Sequence, residues 1–190
     1  MPGEKQRCFW TGDYPLMIEY HDNEWGEPVH DDQKLFEYLI LDAFQAGLSW
    51  RTILHKRENF RRAFDNFDAT KIARYTDKDR QRLLADAGIV RNKLKINAAI
   101  NNAQRFLEVQ REFGSFDKYI WQFTNYQTLR DPNGVTKETM PTSSSESDAM
   151  SAEMKKRGFT FVGTTICYAF MQAIGMVDDH VVGCFKYKGK

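Results

Sequence analysis

Residues 83–95 read LLADAGIVRNKLK, and this stretch decides the fold because it joins two helical patterns through a turn that contains Gly88. Such a hairpin exposes backbone N–H groups at the start of its second helix, and these groups can bind a phosphate together with the positive end of the helix dipole. Lys95 is expected to add a cation to the same surface. An ordinary corner between two helices would explain the same glycine. The predicted nucleic-acid contacts are Gly88, Ile89, Val90, Arg91 and Lys93.

Helical spacing of apolar residues continues on both sides of the hairpin. Residues that favour helix starts precede these segments, and glycines follow them. Over 92–112 the apolar side chains, Leu94 among them, are expected on one buried stripe of a long helix. The other predicted helices start at Asp31 or Asp32, Ser49, Asp68, Thr76, Phe116, Ser147 and Thr164 or Thr165.

The predicted fold class is all-α, since no stretch carries a β-hairpin signal. Residues 125–145 form the one long irregular stretch and are expected to be a surface loop. A chain of 190 residues can bury one substantial core. We therefore expect one unit over residues 1–190, built of two helical lobes.

Basic residues concentrate in the middle of the chain. Residues 1–50 carry three Lys or Arg against ten Asp or Glu, whereas residues 51–111 carry fifteen against seven, although the net charge is only +1. The helix after Ser49 is expected to present Arg51, Arg57 and Arg61 on a basic outer face. A solvated helix surface would produce the same bias, so the asymmetry supports nucleic-acid binding only together with the hairpin.

Composition and cysteine usage limit the class of protein. The chain is 42% hydrophobic and 14% aromatic, as globular proteins are. Its start, MPGEKQRCFW, lacks an apolar signal core, and no stretch approaches the roughly 18 apolar residues that span a bilayer. Three cysteines, an odd number, argue against a disulfide framework. A cytoplasmic protein with reduced thiols and no membrane association is expected.

Two pairs of metal-binding residue types lie near the two ends of the chain: Cys8 with His21, and His180 with Cys184. Two thiolates and two imidazoles suit a tetrahedral zinc ion and leave no coordination position open for a water nucleophile. The pattern predicts one structural zinc ion that joins the N- and C-terminal segments. Buried thiols and core histidines without a metal are the alternative.

Aromatic and acidic residues concentrate in the first fifty positions. Trp10, Tyr20, Trp25 and Trp50 lie there, and Asp42 ends an apolar helical face. Aromatic walls with a carboxylate would suit a flat, cationic, nitrogen-rich ring. Core packing is the competing explanation for each tryptophan.

Several of these segments strongly resemble one protein family, the DNA-3-methyladenine glycosylase I family. The resemblance covers nearly the whole chain, and only the loop 125–140 has no recognisable match. It is carried by YHDNEWG at 20–26, QAGLSW at 45–50, HKRENF at 55–60, DAGIVRNKLKI at 86–96 and KKRGFTFVGTTICYAFMQAIGMVDDHVVGC at 155–184.

The resemblance implies a bacterial base-excision repair enzyme with the helix-hairpin-helix fold, expected near the nucleoid through its DNA. Such an enzyme flips N3-methyladenine out of alkylated double-stranded DNA, hydrolyses the N-glycosidic bond and leaves an abasic site. It also implies that the four Cys and His residues above hold zinc. A monomer is expected because no apolar stripe is left over.

The resemblance places a base pocket at particular residues, and a base-flipping mechanism suggests roles for others. Asp42 and Tyr20 would be catalytic, and Trp10, Trp25 and Trp50 would form the base-binding walls. Gly47 and Leu48 would fill the gap that the flipped base leaves. Thr164 and Thr165 would bind phosphates at a helix start.

One departure concerns Asp42, because the family usually has glutamate at this position. Aspartate is shorter by one methylene, and Met17 replaces a tyrosine that some relatives carry nearby. A glycosylase for a different alkylated purine and a lesion-binding protein that does not cleave are therefore the alternative functions. A purely structural zinc module would explain neither the aromatic cluster nor the basic hairpin.

Overall fold

The structure, a computed structural model, describes residues 5–189, and this part of the chain is built of helices joined by turns. No β-strand longer than an isolated bridge occurs in it, so the all-α prediction is confirmed. Within the same range no helix has both the length and the apolar character needed to span a membrane. The helices are α1 (Pro15–Asn23), α2 (Asp32–Gln45), α3 (Trp50–Ala63), α4 (Ala69–Ile72), α5 (Asp77–Ala85), α6 (Lys93–Phe113), α7 (Phe116–Trp121), α8 (Ser145–Lys156) and α9 (Thr164–Ala173).

Helix α2 is the central element of the core. Its residues 35–44 are all buried, and it packs against α3, α6, α7 and α9. A helix that is packed on every side has no solvent-exposed face on which polar residues could lie. A carboxyl group on the last turns of α2 therefore lies in the interior, and Asp42 is such a group.

The two aspartates at the start of α2 have different partners. The Asp31 carboxylate accepts the backbone N–H of Lys34 at 2.8 Å and caps α2, as the sequence predicts. The Asp32 carboxylate instead accepts the N–H groups of Phe116 and Asp117, both at 2.8 Å. Asp32 therefore accepts hydrogen bonds from the free backbone N–H groups in the first turn of α7, and it joins two helices that are far apart in the sequence.

Two helices are capped one to three residues before the residue predicted to start them. Helix α8 begins at Ser145, and Ser144 caps it. Ser147, the third residue of the helix, forms a reciprocal capping pair with Ser144. Helix α9 has Gly163 at its cap position, so Thr164 is already inside the helix. Both differences arise because several consecutive residues can cap a helix, and local sequence does not choose among them.

Helix α1 is an element that the sequence patterns did not reveal. Pro15 occupies its first turn, where the missing N–H costs nothing. Only Met17, Tyr20 and His21 are buried along it, so the apolar stripe is short. The polar and aromatic residues of this stretch predicted a functional site. They also interrupt the apolar periodicity by which a helix is recognised in sequence, so α1 was not predicted.

Arg57 was expected on an exposed basic face of α3, but it is buried in an ion cluster. Its guanidinium donates to both carboxylate oxygens of Glu24, at 2.9 and 2.7 Å, and to Glu37 at 2.8 Å. Arg61 also donates to Glu37, at 2.7 Å. The cluster links the end of α1, α2 and α3, and the acidic partners come from helices that the pattern of α3 alone cannot reveal.

The loop between α7 and α8 is fixed to the C-terminal segment by two isolated parallel bridges. Leu129 pairs with Val177, and Val135 pairs with Val181. The N–H of Leu129 donates to the Met176 carbonyl at 2.8 Å. The irregular stretch predicted here is therefore held on the surface beside the segment that carries His180.

Candidate functional site

A cavity of about 350 Å³ lies where α1, α2, α3 and α9 approach one another. The five residues predicted to form a base pocket all line it, although they come from separate stretches of the chain. Thr165 also lines it, whereas Gly47, Leu48 and Thr164 do not. The predicted residues in the wall are Trp10, Tyr20, Trp25, Asp42, Trp50 and Thr165.

Asp42 is the acidic group of this cavity. Its side chain is buried, and one carboxylate oxygen, Oδ2, has no hydrogen-bond partner among residues 5–189. Burial raises the pKa of Asp42 well above its usual value. An unpartnered buried carboxyl at the wall of a cavity is unfavourable unless a ligand supplies the missing donor or a positive charge.

Aromatic rings form the walls around Asp42. The Tyr20 and Trp50 ring centroids are 5.3 Å apart, and those of Trp10 and Trp25 are 4.9 Å apart. The indole N–H of Trp50 is buried and has no partner in the described chain. The cavity therefore offers π faces together with one free donor and one free carboxyl, which suits a flat heterocycle.

Helix α9 supplies a second polar wall that sequence reasoning missed. Tyr168 and Gln172 line the cavity, and both donate to the same carboxylate oxygen of Asp179, at 2.8 and 2.7 Å. Asp179 is buried, and burial raises its pKa. The signal for this wall was the spacing of Thr165, Tyr168 and Gln172, which places them on one face of a helix.

Three of the four predicted metal ligands come together in the interior. One ligand atom each from Cys8, His21 and Cys184 lie within 4.8 Å of one another, and all three side chains are buried. Backbone N–H groups point at both sulfurs, from Val181 to Cys8 at 3.4 Å and from Lys186 to Cys184 at 3.5 Å. Two sulfurs supported in this way, beside an imidazole nitrogen, form a donor set that zinc prefers.

His180 lies beside this group but outside the 4.8 Å set. Its ring centroid is 5.1 Å from that of His21. Its Nδ1 pairs with Asp178 at 2.7 Å, and its buried Nε2 has no partner in the described structure. His21 likewise pairs through Nδ1, with Asp22 at 2.8 Å. Carboxylates that hold Nδ1 leave Nε2 available for a metal, and the orphaned Nε2 of His180 fits this arrangement.

The protonation tendencies of the cluster also fit a cation. Burial lowers the pKa of His21, which favours the neutral imidazole that binds metals. Burial raises the pKa of Cys8 to about 12, so a thiolate there needs a positive charge beside it.

The cluster and the cavity share a wall at Trp25. The Trp25 ring lies between Trp10, at 4.9 Å, and His180, at 4.8 Å. Gly26 has a φ of +76°, and a Cβ atom at this position would come within 2.8 Å of the His180 ring. Glycine is needed at this position both for its backbone conformation and for the close approach.

The hairpin of residues 86–92 connects α5 and α6 as predicted. The N–H of Gly88 is already taken by the Asp86 carboxylate, at 2.7 Å, and Ile89 is buried. Within the described chain the N–H groups of Val90 and Arg91 have no such partner. The outward hairpin donors are therefore fewer than the sequence indicated, and Gly88 and Ile89 hold its shape.

Two side chains at the start of α6 differ from the prediction in their exposure to solvent. Leu94 was expected in the core but is 69% exposed, because it lies on the face of α6 opposite to the buried Ile96. Lys95 was expected at the surface but is buried, and its Nζ donates to the carbonyls of Phe44 and Ala46, at 2.8 and 2.5 Å. Lys95 thus satisfies the C-terminal end of α2, where a cation also favours the helix dipole.

The loop between α2 and α3 carries the predicted wedge. Gly47 has a φ of +76°, and Leu48 exposes 41% of its surface. At the other predicted phosphate contact, the Thr164 hydroxyl donates to Asp148 at 2.5 Å and bonds to Ser147. Leu48 therefore projects freely, whereas the Thr164 hydroxyl is engaged within the protein.

Comparison with known proteins gives consistent matches over almost the full chain. The family model described as methyladenine glycosylase matches residues 10–187. The DNA-3-methyladenine glycosylase 1 of Escherichia coli (strain K12) is 51% identical over 184 residues, which cover 97% of this chain and 98% of that protein.

Solved structures give the same result. A crystal structure of a 3-methyladenine DNA glycosylase I superposes with a TM-score of 0.93 at 48% identity and covers 96% of this chain and 100% of that one. A structure of the Staphylococcus aureus enzyme, which concerns recognition of 3-methyladenine, gives a TM-score of 0.92 at 33% identity and covers 99% and 100%. The resemblance seen in the sequence is thereby confirmed, and this chain belongs to the methyladenine glycosylase family.

Proposed function

We propose that this protein is a base-excision repair glycosylase that removes 3-methyladenine from alkylated DNA. The observation that carries the proposal is the cavity itself, in which aromatic rings surround a buried carboxyl, Asp42, that lacks a partner. The family relatives bear names that specify this activity. They do not favour the alternative functions.

Asp42 recognises the damaged base. Methylation at N3 makes the base cationic within DNA, and an ionised carboxylate is the natural counter-charge in a cavity with little water. Tyr20 orients the ring and Trp50 stacks on it, while Trp10 and Trp25 close the remaining wall. Since the empty pocket disfavours the ionised carboxylate, the cationic base and the charged Asp42 stabilise each other on binding.

The chemistry follows from that binding. The N-glycosidic bond breaks with its electron pair moving to the cationic base, which leaves as neutral 3-methyladenine. Water adds at the sugar C1′ carbon and loses a proton to solvent, which gives the abasic site. A base that already carries positive charge is a good leaving group, so the enzyme needs little general acid and acts mainly by binding the transition state.

The partner is double-stranded DNA, held at three places. Val90, Arg91 and Lys93 on the hairpin bind backbone phosphates, and Thr165 lies beside the pocket at the start of α9. Leu48, with Gly47 before it, enters the gap left by the flipped base. Flipping costs a few kcal/mol, which the pocket and the wedge together offset. The whole chain acts as one unit and as a monomer.

One zinc ion would be held by Cys8, His21, His180 and Cys184 and would stabilise the fold. With four protein ligands it would have no open position for an activated water, so it would supply stability rather than chemistry. The support lies in the three buried ligand atoms within 4.8 Å and in the orphaned Nε2 of His180. Through Trp25, the metal site would keep the pocket wall in place.

Release of free bases from methylated genomic DNA, resolved chromatographically, tests the proposed function. The protein's zinc content is measured on the same sample. Release of 3-methyladenine with little 7-methylguanine is expected. A folded, zinc-loaded protein that releases neither base, yet retains affinity for alkylated DNA, would contradict the proposal.

A further inference from the structure

A second cavity, of about 580 Å³, adjoins the base pocket, and the base chemistry does not use it. The two cavities share Phe9, Trp10, Met17 and Trp50 in their linings, so they lie side by side. Phe9 is 46% exposed along this shared wall. A group attached to a ligand in the base pocket would therefore lie close to the second cavity.

Arg51 lines the second cavity and stacks on an aromatic ring. The guanidinium carbon of Arg51 lies 3.9 Å from the centroid of the Tyr14 ring, and both residues line the cavity. On the same helix Arg57 and Arg61 are paired with carboxylates, whereas Arg51 has no acidic partner within residues 5–189. A guanidinium stacked on a ring is oriented while its N–H groups stay free.

The lining of this cavity suits an anionic group that is attached to a planar heterocycle. Aromatic faces line its shared wall, and Arg51 supplies a fork of donors with the geometry of a phosphate. Asp13 also lines the cavity and carries the opposite charge, but it is exposed to solvent. Solvent screens such an exposed carboxylate, so it weakens the positive character of Arg51 only slightly.

We infer that this cavity is a subsite for the sugar-phosphate of the flipped nucleotide, with Arg51 as its phosphate ligand and Tyr14 as the residue that positions Arg51. The inference rests on the proposed function, because a flipped base remains covalently joined to its backbone. That backbone must pass the mouth of the base pocket. A cavity that adjoins the pocket, and is lined by an arginine without an acidic partner in the described chain, is where its charge can be neutralised.

The test compares Arg51→Gln with wild type in binding to a duplex that contains one stable abasic analogue. Affinity is measured by fluorescence anisotropy over a series of salt concentrations. Loss of one phosphate contact should weaken binding on the order of tenfold. It should also reduce the slope of log K against log salt by about 0.9. Arg51→Lys keeps the charge and should retain the slope.

Arg111→Gln is the matched control. Arg111 is exposed, donates only to the carbonyl of Leu107 in its own helix, and lies in the last turn of α6, at the other end from the hairpin. This variant removes the same charge and should leave the salt slope of wild type unchanged. Binding of free 3-methyladenine, followed by tryptophan fluorescence, should be unchanged in both glutamine variants because the free base carries no phosphate.

The outcomes separate the inference from the function on which it rests. If Arg51→Gln and Arg111→Gln give the same salt slope while wild type excises 3-methyladenine, the subsite is wrong and the function stands. If wild type releases no base, the proposed function itself fails. A lower affinity of Arg51→Gln for free 3-methyladenine would also overturn the inference, because Arg51 would then shape the base pocket.

Discussion

Replacement of Lys95 by methionine should destabilise the protein without weakening its electrostatic contact with DNA. The Lys95 ammonium donates to the carbonyls of Phe44 and Ala46, at 2.8 and 2.5 Å, and is buried. Methionine keeps most of the side-chain volume but leaves two carbonyl groups unpaired. Each unpaired buried acceptor costs about 1–3 kcal/mol, and the ammonium no longer has to be buried, so we expect a net loss of about 3 kcal/mol.

The assay is thermal unfolding together with the salt dependence of DNA binding. For a chain of this size a loss of about 3 kcal/mol lowers Tm by roughly 6–12 °C. Lys93→Met is the comparator, because Lys93 is exposed at the start of α6, directly after the hairpin, and makes no ion pair in the described structure. That variant should change stability by less than about 0.5 kcal/mol and reduce the salt slope by about 0.9.

The two variants should therefore show opposite behaviour. If Lys95→Met lowered the salt slope and left Tm unchanged, Lys95 would be a phosphate ligand, and the assignment of its role to the end of α2 would be wrong. If both variants changed neither quantity, the hairpin would not be the DNA-binding element.

Three further changes test the pocket, the metal cluster and the ion cluster. Asp42→Asn should lower the single-turnover rate of 3-methyladenine excision at least about 100-fold with folding intact, and an unchanged rate would remove Asp42 from the site. Because burial raises the pKa of Asp42 and the ionised form is the active one, the wild-type rate should rise as pH rises through that pKa, and Asp42→Asn should lose this dependence. Cys184→Ser should reduce bound zinc, measured by mass spectrometry, and lower Tm, while protein that retains metal keeps its rate; full zinc content would refute the assigned ligand. Glu24→Gln should cost about 3 kcal/mol of unfolding free energy, whereas the exposed Glu108→Gln should cost less than about 0.5 kcal/mol, and equal losses would contradict the buried cluster.

Helix starts were predictable where one residue acts on its immediate neighbours. Asp31, Ser49 and Asp68 cap the helices that follow them, because a side-chain oxygen reaches N–H groups only two or three residues ahead. Thr76 and Asp79, three residues apart, likewise form a reciprocal capping pair at the start of α5. Such interactions need no information from the rest of the chain.

The side chains that were misplaced depend on distant partners. Helical spacing places Arg57 and Lys95 on polar faces, but it does not say what covers those faces. Arg57 is covered by carboxylates from α1 and α2, and Lys95 by carbonyls at the end of α2. Buried charges are recognisable only when both partners are known, since an unpaired ion in the interior would be too costly.

The pocket was predictable on one side only. The tryptophans and Asp42 stand out in the sequence because aromatic and acidic residues are concentrated in the first fifty positions. Tyr168 and Gln172 belong to the apolar run of α9, and their shared contact with Asp179 appears only when the chain is folded. A polar wall inside a hydrophobic segment gives little signal in sequence.

The position of the metal cluster along the chain sets the order in which the protein can be completed during synthesis. His21 and Cys184 are 163 residues apart in sequence, yet their ligand atoms lie 3.3 Å apart. Cys8 and His21 leave the ribosome early, and the sulfur of Cys184 emerges only after α9 and its wall of the pocket have been made. The cluster therefore cannot form before α9 has been made, and a nascent chain that stops before Cys184 lacks one of the three gathered ligands.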